Sequence, residues 1–526
     1  MGRSKTPSVG RKMGLAAVIM MASVFLSRVT GLVREMVIAY IGGASPAVDA
    51  YQVAFIIPEI LNHVVASGFL SVTFIPIFSR YLSQDREAEG WEVFSIILTG
   101  FGTFLILGIL LAMVFAPALV GIVAPGLEDG FVKTNAVRMT RIILPAQFFF
   151  FAGGLFMAVQ FAKGRFAVPA LAPLLYNLGI IAGGGVLGKR LGMEGFSWGV
   201  LAGAFFGNFF LQWWGAFRVG LRFSLKIDFC HPDLKKYIAL TLPLMVGLTM
   251  TFSTEIFFRF FGSFLTTGTI AALNYGLRVM LILVGVFGQA VGVASFPFMA
   301  RLAVEGRLQE MHRLLDRTLR LISLVIPVSV LCMVLRKEIV VLLFFRGSFN
   351  MAALRTTSQA LFYLMAGAFA FAAQTIVVRA YYAVQNTLFP AFFGSLAVVL
   401  SLPFYWLGMR FMGGNGVALA VSISAVLQAG LLYGILNARR PDRGYRRVYA
   451  SYARMIGLGA VFGAAFEWMK NAGVPQFSTA PLIQSVLTCL MIGPLYLLAF
   501  YGAGRILKIP EIKTLRDFRK SRSTHG

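Results

Sequence analysis

The sequence predicts an all-α polytopic membrane protein. It would have about fourteen transmembrane helices, arranged as two parallel six-helix repeats that form two lobes around a central cavity, plus two extra C-terminal helices. Three observations lead there. Hydrophobic residues are 58% of the 526, only 13% are charged and mean hydropathy is +0.79, more apolar surface than a soluble domain could hide. Fourteen long apolar stretches follow one another, each near the roughly 20 residues that a helix needs to cross a bilayer. Finally, sliding the chain on itself by 221 residues aligns punctuating positions in three separate regions.

Taken in order, the expected spans are 14–40, 48–80, 91–121, 136–162, 166–188, 195–218, 235–263, 269–299, 314–336, 354–382, 390–410, 415–437, 449–470 and 481–504. The N-terminus is basic and then apolar, as in a signal peptide, but the apolar run continues past Arg28 without a cleavage site, so it reads as an uncleaved first span. Pro58, Pro145, Pro243, Pro327 and Pro403 fall inside spans, where neighbouring helices can satisfy the freed carbonyls. Gly153-Gly154 and Gly183-Gly184-Gly185 permit close helix approach.

Net charge is +26. In a soluble chain that would suggest nucleic acid, but most Lys and Arg lie between spans or in the tail, where topology and anionic headgroups explain them. With the N-terminus inside, roughly 29 Lys and Arg fall inside and roughly 10 outside, which predicts cytoplasmic termini. The cysteines Cys230, Cys332 and Cys489 fit no metal or redox spacing.

At the offset of 221, Pro76 and Arg80 meet Pro297 and Arg301, Gly126 meets Gly347, and Ala162, Pro169 and Ala170 meet Ala383, Pro390 and Ala391. Six spans per unit is an even number, so both units enter the membrane from the same side. The expected lobes are 1–225 and 226–440. Spans 13 and 14 (441–504) and a basic tail (505–526) stand outside the repeat.

The residues that could carry chemistry are charges at membrane depth, where ionised groups are costly and face a cavity or a partner. Arg28 and Arg34 in SRVTGLVRE are six apart, about 120° off alignment and about 9 Å along the axis. They cannot form one compact clamp, but both could reach a broad cavity, and guanidinium forks suit phosphate oxygens. Arg34 could also pair with a nearby carboxylate or snorkel. Arg278 stands in NYGLRVMLILVG without an adjacent acid, so either a cavity role or a cap on backbone carbonyls fits. Glu59 with His63, and Glu255 with Arg259, are i, i+4 pairs whose plain reading is mutual neutralisation; Glu59-His63 could instead couple transport to an ion. Arg379 reads as an interface anchor. The four histidines are scattered, and no phosphate-binding loop, metal cluster, cofactor site or nucleophile–base pair is visible. The expectation is a non-enzyme with an anionic cargo.

SRVTGLVRE at 27–35, DAYQVAFIIPEIL at 49–61, FIPIFSRY at 74–81, APGL at 124–127 and GRFAVPALAPLLYNL at 164–178 resemble the MurJ (MviN) family. The likeness runs over the first twelve spans and is strongest in the first 180 residues. It implies the multidrug/oligosaccharidyl-lipid/polysaccharide exporter fold and a flippase of lipid II in the bacterial inner membrane, with a cationic central cavity. The two C-terminal helices would form a groove for the lipid tail. By position, the family's cavity arginines match Arg28, Arg34 and Arg278, and its acidic residues match Glu35 and Asp49. Two departures stand out: Asn62, followed by His63, where many members have arginine, and Leu277 where Asp is common. The expected partners are lipid II or a related polyprenyl-pyrophosphate glycolipid, membrane lipids and cell-wall synthesis enzymes, with no nucleic acid and no cofactor. An exporter of another polyprenyl-linked glycan and a transport-inactive scaffold are the rival readings; a drug–cation exporter would want acidic cavity residues.

Overall fold

The computed structural model describes residues 9–65, 73–127, 130–438, 444–473 and 479–511; the side chains of 9–17, 63–65, 240 and 242–253 lie outside that description. All regular structure among the described residues is helical. The chain divides into two compact units, Met1–Thr249 with Thr266–Gly268, and Met250–Leu265 with Thr269–Gly526.

The first unit contains α1 (Val9–Gly42), α2 (Pro46–Ala54), α3 (Ile56–Val65), α4 (Ile75–Ser83), α5 (Glu87–Val114), α6 (Ala116–Val123), α7 (Gly130–Ile143), α8 (Ala146–Ala162), α9 (Ala167–Leu191), α10 (Met193–Gly203) and α11 (Leu211–Arg218). A π-helical turn, Ala204–Phe210, joins the last two. The helix α12 (Pro232–Gly262) contains the boundary between the units. The second unit continues with α13 (Thr269–Val284), a π-helical turn Gly285–Gln289, α14 (Ala290–Val304), α15 (Leu308–Ile322), α16 (Val325–Val334), α17 (Arg336–Phe344), α18 (Met351–Met365), α19 (Ala368–Ala383), α20 (Leu388–Met412), α21 (Gly414–Ala438), α22 (Tyr445–Gly473) and α23 (Pro481–Ile506).

Among the described residues, eight helical runs are long and apolar enough to cross a membrane, or nine if α18 and α19, bent by 45°, form one span. Other expected spans fall on shorter pieces, such as α2–α3, or on the charge-bearing α22. The breaks have local causes. Pro145 caps α8, and Pro58 and Pro327 sit in the first turns of α3 and α16, where a missing N–H is tolerated. Pro403 instead lies inside the continuous α20.

The offset of 221 recurs in the backbone. Gly192 (φ +57°, ψ −132°) and Gly413 (φ +59°, ψ −134°) turn the tight hairpins α9–α10 and α20–α21. Asp85 and Gly306 (φ +55° and +73°), and Gly164 and Gln385 (φ +69° and +57°), are left-handed at the same spacing. Left-handed backbone is rare outside glycine, so three coincidences at one offset reflect duplicated geometry.

Glycine decides the closest approaches. A Cβ on Gly183 would lie 2.4 Å from the Gly199 Cα, and one on Gly184 2.1 Å from the Phe196 ring, whereas Gly185 faces open space. On Gly153 it would meet the Asn208 carbonyl oxygen at 1.7 Å. In the second unit, Met311, Leu315, Leu319, Tyr381 and Leu432 form one core, while α22 and α23 pack on α16 through Ile326, Met455, Ile492 and Tyr496.

Candidate functional site

Each unit builds its own cluster of charges. In the first, α9 lies along the face of α1 that carries Ser23, Ser27, Thr30 and Arg34. Ser23 Oγ donates to the Ala170 carbonyl, and Asn177 on α9 accepts from Arg34 Nη1 at 3.1 Å. Arg34 Nη2 also donates to Glu35 Oε1 at 2.6 Å, with Glu35 nearly inaccessible at 3%. This is the neighbouring carboxylate that the sequence allowed for Arg34, so its charge is met locally. The charges of Arg34 and Glu59 both act on the Tyr51 and Tyr176 hydroxyls. Arg34, Glu35 and Asn177 therefore form one part-buried polar cluster, and Glu59 lies near enough for its charge to act on the same two tyrosines.

Three further expectations in this unit resolve differently. Arg28 is exposed and carries no hydrogen bond or ion pair among the described residues. Helical phase puts it on the same side of α1 as buried Glu35 and Ala39, about two turns away. Asp49, 3% exposed, accepts a hydrogen bond from the Gly268 amide, where φ is +89°. It thus has a structural task at a left-handed turn 219 positions away. Asn62 is half-buried one turn beyond Glu59. The His63 side chain lies outside the described residues, so the Glu59-His63 pairing does too.

In the second unit Arg278 has an acid after all. Its Nη1 and Nη2 donate to Glu255 Oε1 and Oε2 at 3.3 and 3.2 Å. Arg259 Nη2 reaches the same carboxylate at 3.2 Å. Glu255 and Arg259 are one turn apart on α12, and Arg278 comes from α13. Arg259 is 1% exposed, whereas Arg278 is 27% and Glu255 22%. The Glu255-Arg259 pair expected from the spacing is therefore present, and Arg278 shares its carboxylate. Leu277, where an acid was expected, is 2% exposed in the core, and α12 delivers the anion instead.

Arg379 is held differently. Its guanidinium donates to Gln289 Oε1 at 2.8 Å and to the Gln289 carbonyl at 3.3 Å, beside the π-helical turn, a partner that the spacing did not show. Gly292 leaves room for its guanidinium, since a Cβ there would meet Nη1 at 2.0 Å.

Sequence reasoning missed Tyr51, Tyr176 and Asn177, and missed Glu255 as the partner of Arg278. The available signals were polar residues in otherwise apolar spans. Among the described residues no group of three or more His, Cys, Asp or Glu could hold a metal ion.

Comparisons with known proteins bear on the family and the fold. The family model described as "Lipid II flippase MurJ" matches residues 38–487. The Thermotoga maritima protein described as "Probable lipid II flippase MurJ" is 29% identical over 494 residues, covering 93% of this chain and 96% of its own. The Burkholderia cenocepacia "Lipid II flippase MurJ" is 27% identical over 458 residues, covering 84% and 87%. A solved structure described as "Lipid II flippase MurJ, inward closed conformation" superposes with a TM-score of 0.76 at 21% identity, covering 93% of this chain and 99% of that one. An inward-facing multidrug resistance MATE family transporter follows at 0.65 and 13%, covering 83% and 98%. These structural likenesses speak for the fold alone.

Proposed function

The chain belongs to the MurJ family of multi-span membrane transporters, and we propose that it flips a polyprenyl-pyrophosphate glycolipid, lipid II foremost, from the cytoplasmic to the outer leaflet of the bacterial inner membrane by alternating access. The observation that carries this reading is the shared carboxylate of Glu255. Both Arg259 and Arg278 reach this one carboxylate, and Arg278, the more accessible of the two, is placed to exchange it for a phosphate. Arg28 offers a second, unpaired fork. Arg34, already held by Glu35 and Asn177, would position the polar cluster rather than grasp the phosphate.

The lipid tail has a plausible resting place in the second unit. Gly459, Ala460, Gly463 and Ala464 of α22 line a cavity of about 430 Å³ with Val330 and Met333, bounded by the Arg336–Glu467 pair at 2.9 Å. Small side chains over about one and a half turns give a hydrocarbon chain room to lie, and the polar headgroup alone then has to be shielded. The excess of Lys and Arg on one side supports cytoplasmic termini. Cell-wall synthesis enzymes are the partners such a role would bring near.

The test is translocation of lipid II in proteoliposomes, paired with complementation of cells depleted of their own flippase. Wild type should move lipid II. Arg28→Ala and Arg278→Ala should fail to support growth at unchanged protein level. A wild type that moves another polyprenyl-pyrophosphate glycan in preference would change the substrate, and one that moves none would leave a scaffold.

A further inference from the structure

The two repeats part company at one groove, beside the helix that opens the third span of each. In the first repeat that helix is α5, and the chain fills the groove itself. Lys226 pairs with Glu92, the Ser224 amide donates to Ser95 Oγ at 3.1 Å, and Thr99 Oγ1 donates to the Lys226 carbonyl. In the second repeat the helix is α15, and the offset of 221 puts Arg313, Asp316 and Arg320 at those three places. An acid has become an arginine at the first and a threonine an arginine at the third.

A cavity of about 630 Å³ stands on this face of α15. Among the described residues six arginines and three carboxylates line it, an excess of cations. Two of the acids are committed: Glu305 and Glu310 hold Arg301 and Arg307 at 2.6–2.9 Å. The third, Asp316, accepts the Tyr433 hydroxyl at 2.7 Å. Arg317, Arg320 and Arg447 have no ion pair among the described residues. A single solvated stripe would keep its cations on one helix; here Arg447 comes from α22 and the others from α15. Phe298, 66% exposed on α14, and Leu302 one turn later set apolar surface beside these charges.

We propose that this cavity binds the phosphate of an anionic phospholipid from the adjoining leaflet. Guanidinium forks from two helices suit phosphate oxygens, and a lipid brings both the anion and the acyl chains that Phe298 and Leu302 would meet. The occupant bridges α15 to α22, and so fastens the start of the C-terminal helix pair to the second repeat. Naming that leaflet the cytoplasmic one rests on the orientation proposed above.

The experiment is native mass spectrometry of delipidated full-length protein in detergent, titrated with phosphatidylglycerol or phosphatidylcholine. Wild type retains phosphatidylglycerol selectively. The variant combining Arg317→Gln, Arg320→Gln and Arg447→Gln weakens that retention about 10-fold or more, the loss of at least one charge-assisted contact. A charge-matched control combining Lys189→Gln, Arg190→Gln and Arg355→Gln keeps wild-type retention, and thermal midpoints near wild type show that both variants are folded. Equal retention by wild type and the cavity variant, or equal weakening by the control, overturns the site. Saturation by millimolar inorganic phosphate without a lipid preference overturns the lipid. Orientation fails separately: Gln309→Cys, in a Cys230→Ser background, reacts with an impermeant maleimide only from the cytoplasmic side.

Discussion

The first and second repeats share a skeleton and differ in how they fill it. Their hairpin glycines, Gly192 and Gly413, have nearly the same φ and ψ. Their third-span helices both start from an arginine N-cap that pairs with a glutamate three residues on, Arg86 with Glu89 and Arg307 with Glu310. Yet the first repeat brings backbone against backbone where the second uses side chains. Gly153 of α8 sits against the Asn208 carbonyl in a π-helical turn, and its equivalent, Gln374 of α19, donates to Gln428 at 2.8 Å on the regular helix α21. Duplication preserves the turns that direct the chain, while close contacts and charges are free to diverge.

That difference makes the largest prediction. Gly153→Ala drives a Cβ into a carbonyl oxygen that cannot retreat without breaking the π-helical turn, so it should cost about 3 kcal/mol or more. Gln374→Ala, at the equivalent place, removes one hydrogen bond and should cost about 1 kcal/mol. Thermal midpoints in detergent measure both. Comparable losses would mean that the two contacts do the same job despite their different chemistry.

Next comes the shared acid. Glu255→Gln removes a carboxylate from the almost fully buried Arg259 and from Arg278, and a loss of about 3 kcal/mol is expected for breaking a buried pair from one side. The same change at Glu35, whose partner Arg34 is more exposed than Arg259, should cost less. If thermal melts reverse that order, the burial of Arg259 is not what distinguishes the second cluster from the first.

These cases also show where the sequence was informative. The offset of 221 was visible in scattered prolines and glycines because turns depend on single residues, and it reappears in the left-handed positions. Gly153, Gly183 and Gly184 were readable as close approaches for the same reason. Arg278's partner was not, since Glu255 lies 23 positions back on another helix and spacing reports only neighbours within a helix. Asp49 and Gly268 meet across 219 positions for a like reason. Apolar length was legible where helix breaks were not: the span expected at 136–162 contains the break at Pro145, and those at 195–218 and 269–299 contain π-helical turns, because hydropathy persists through them. The carbonyl that Arg379 binds is likewise invisible to a residue count.

The smallest expected effect separates the repeats at one matched arginine. Arg80 donates to both oxygens of Asp233 at 2.8 and 2.9 Å, and Tyr81 donates to the same carboxylate at 2.6 Å. Its counterpart Arg301 pairs with Glu305 one turn away, with a side chain 81% exposed. An exposed pair of that kind contributes about 0.5 kcal/mol or less, whereas one against a buried acid should contribute about 1–2 kcal/mol. Arg80→Ala should therefore lower the thermal midpoint more than Arg301→Ala. The pH dependence follows from Asp233. Burial alone would raise its carboxyl, but the hydrogen bonds from Tyr81 and Arg80, with the Arg80 charge, outweigh burial and hold it below its usual value of 3.8. A carboxyl more acidic in the folded state than in the unfolded one adds stability above the unfolded value and loses it as pH falls through the folded one. Wild type should thus exceed Asp233→Asn in stability at pH 7, and the gap should close as the pH drops below 3.8. A gap that stays constant down to that range would assign Asp233 a packing role and remove the electrostatic contrast between Arg80 and Arg301.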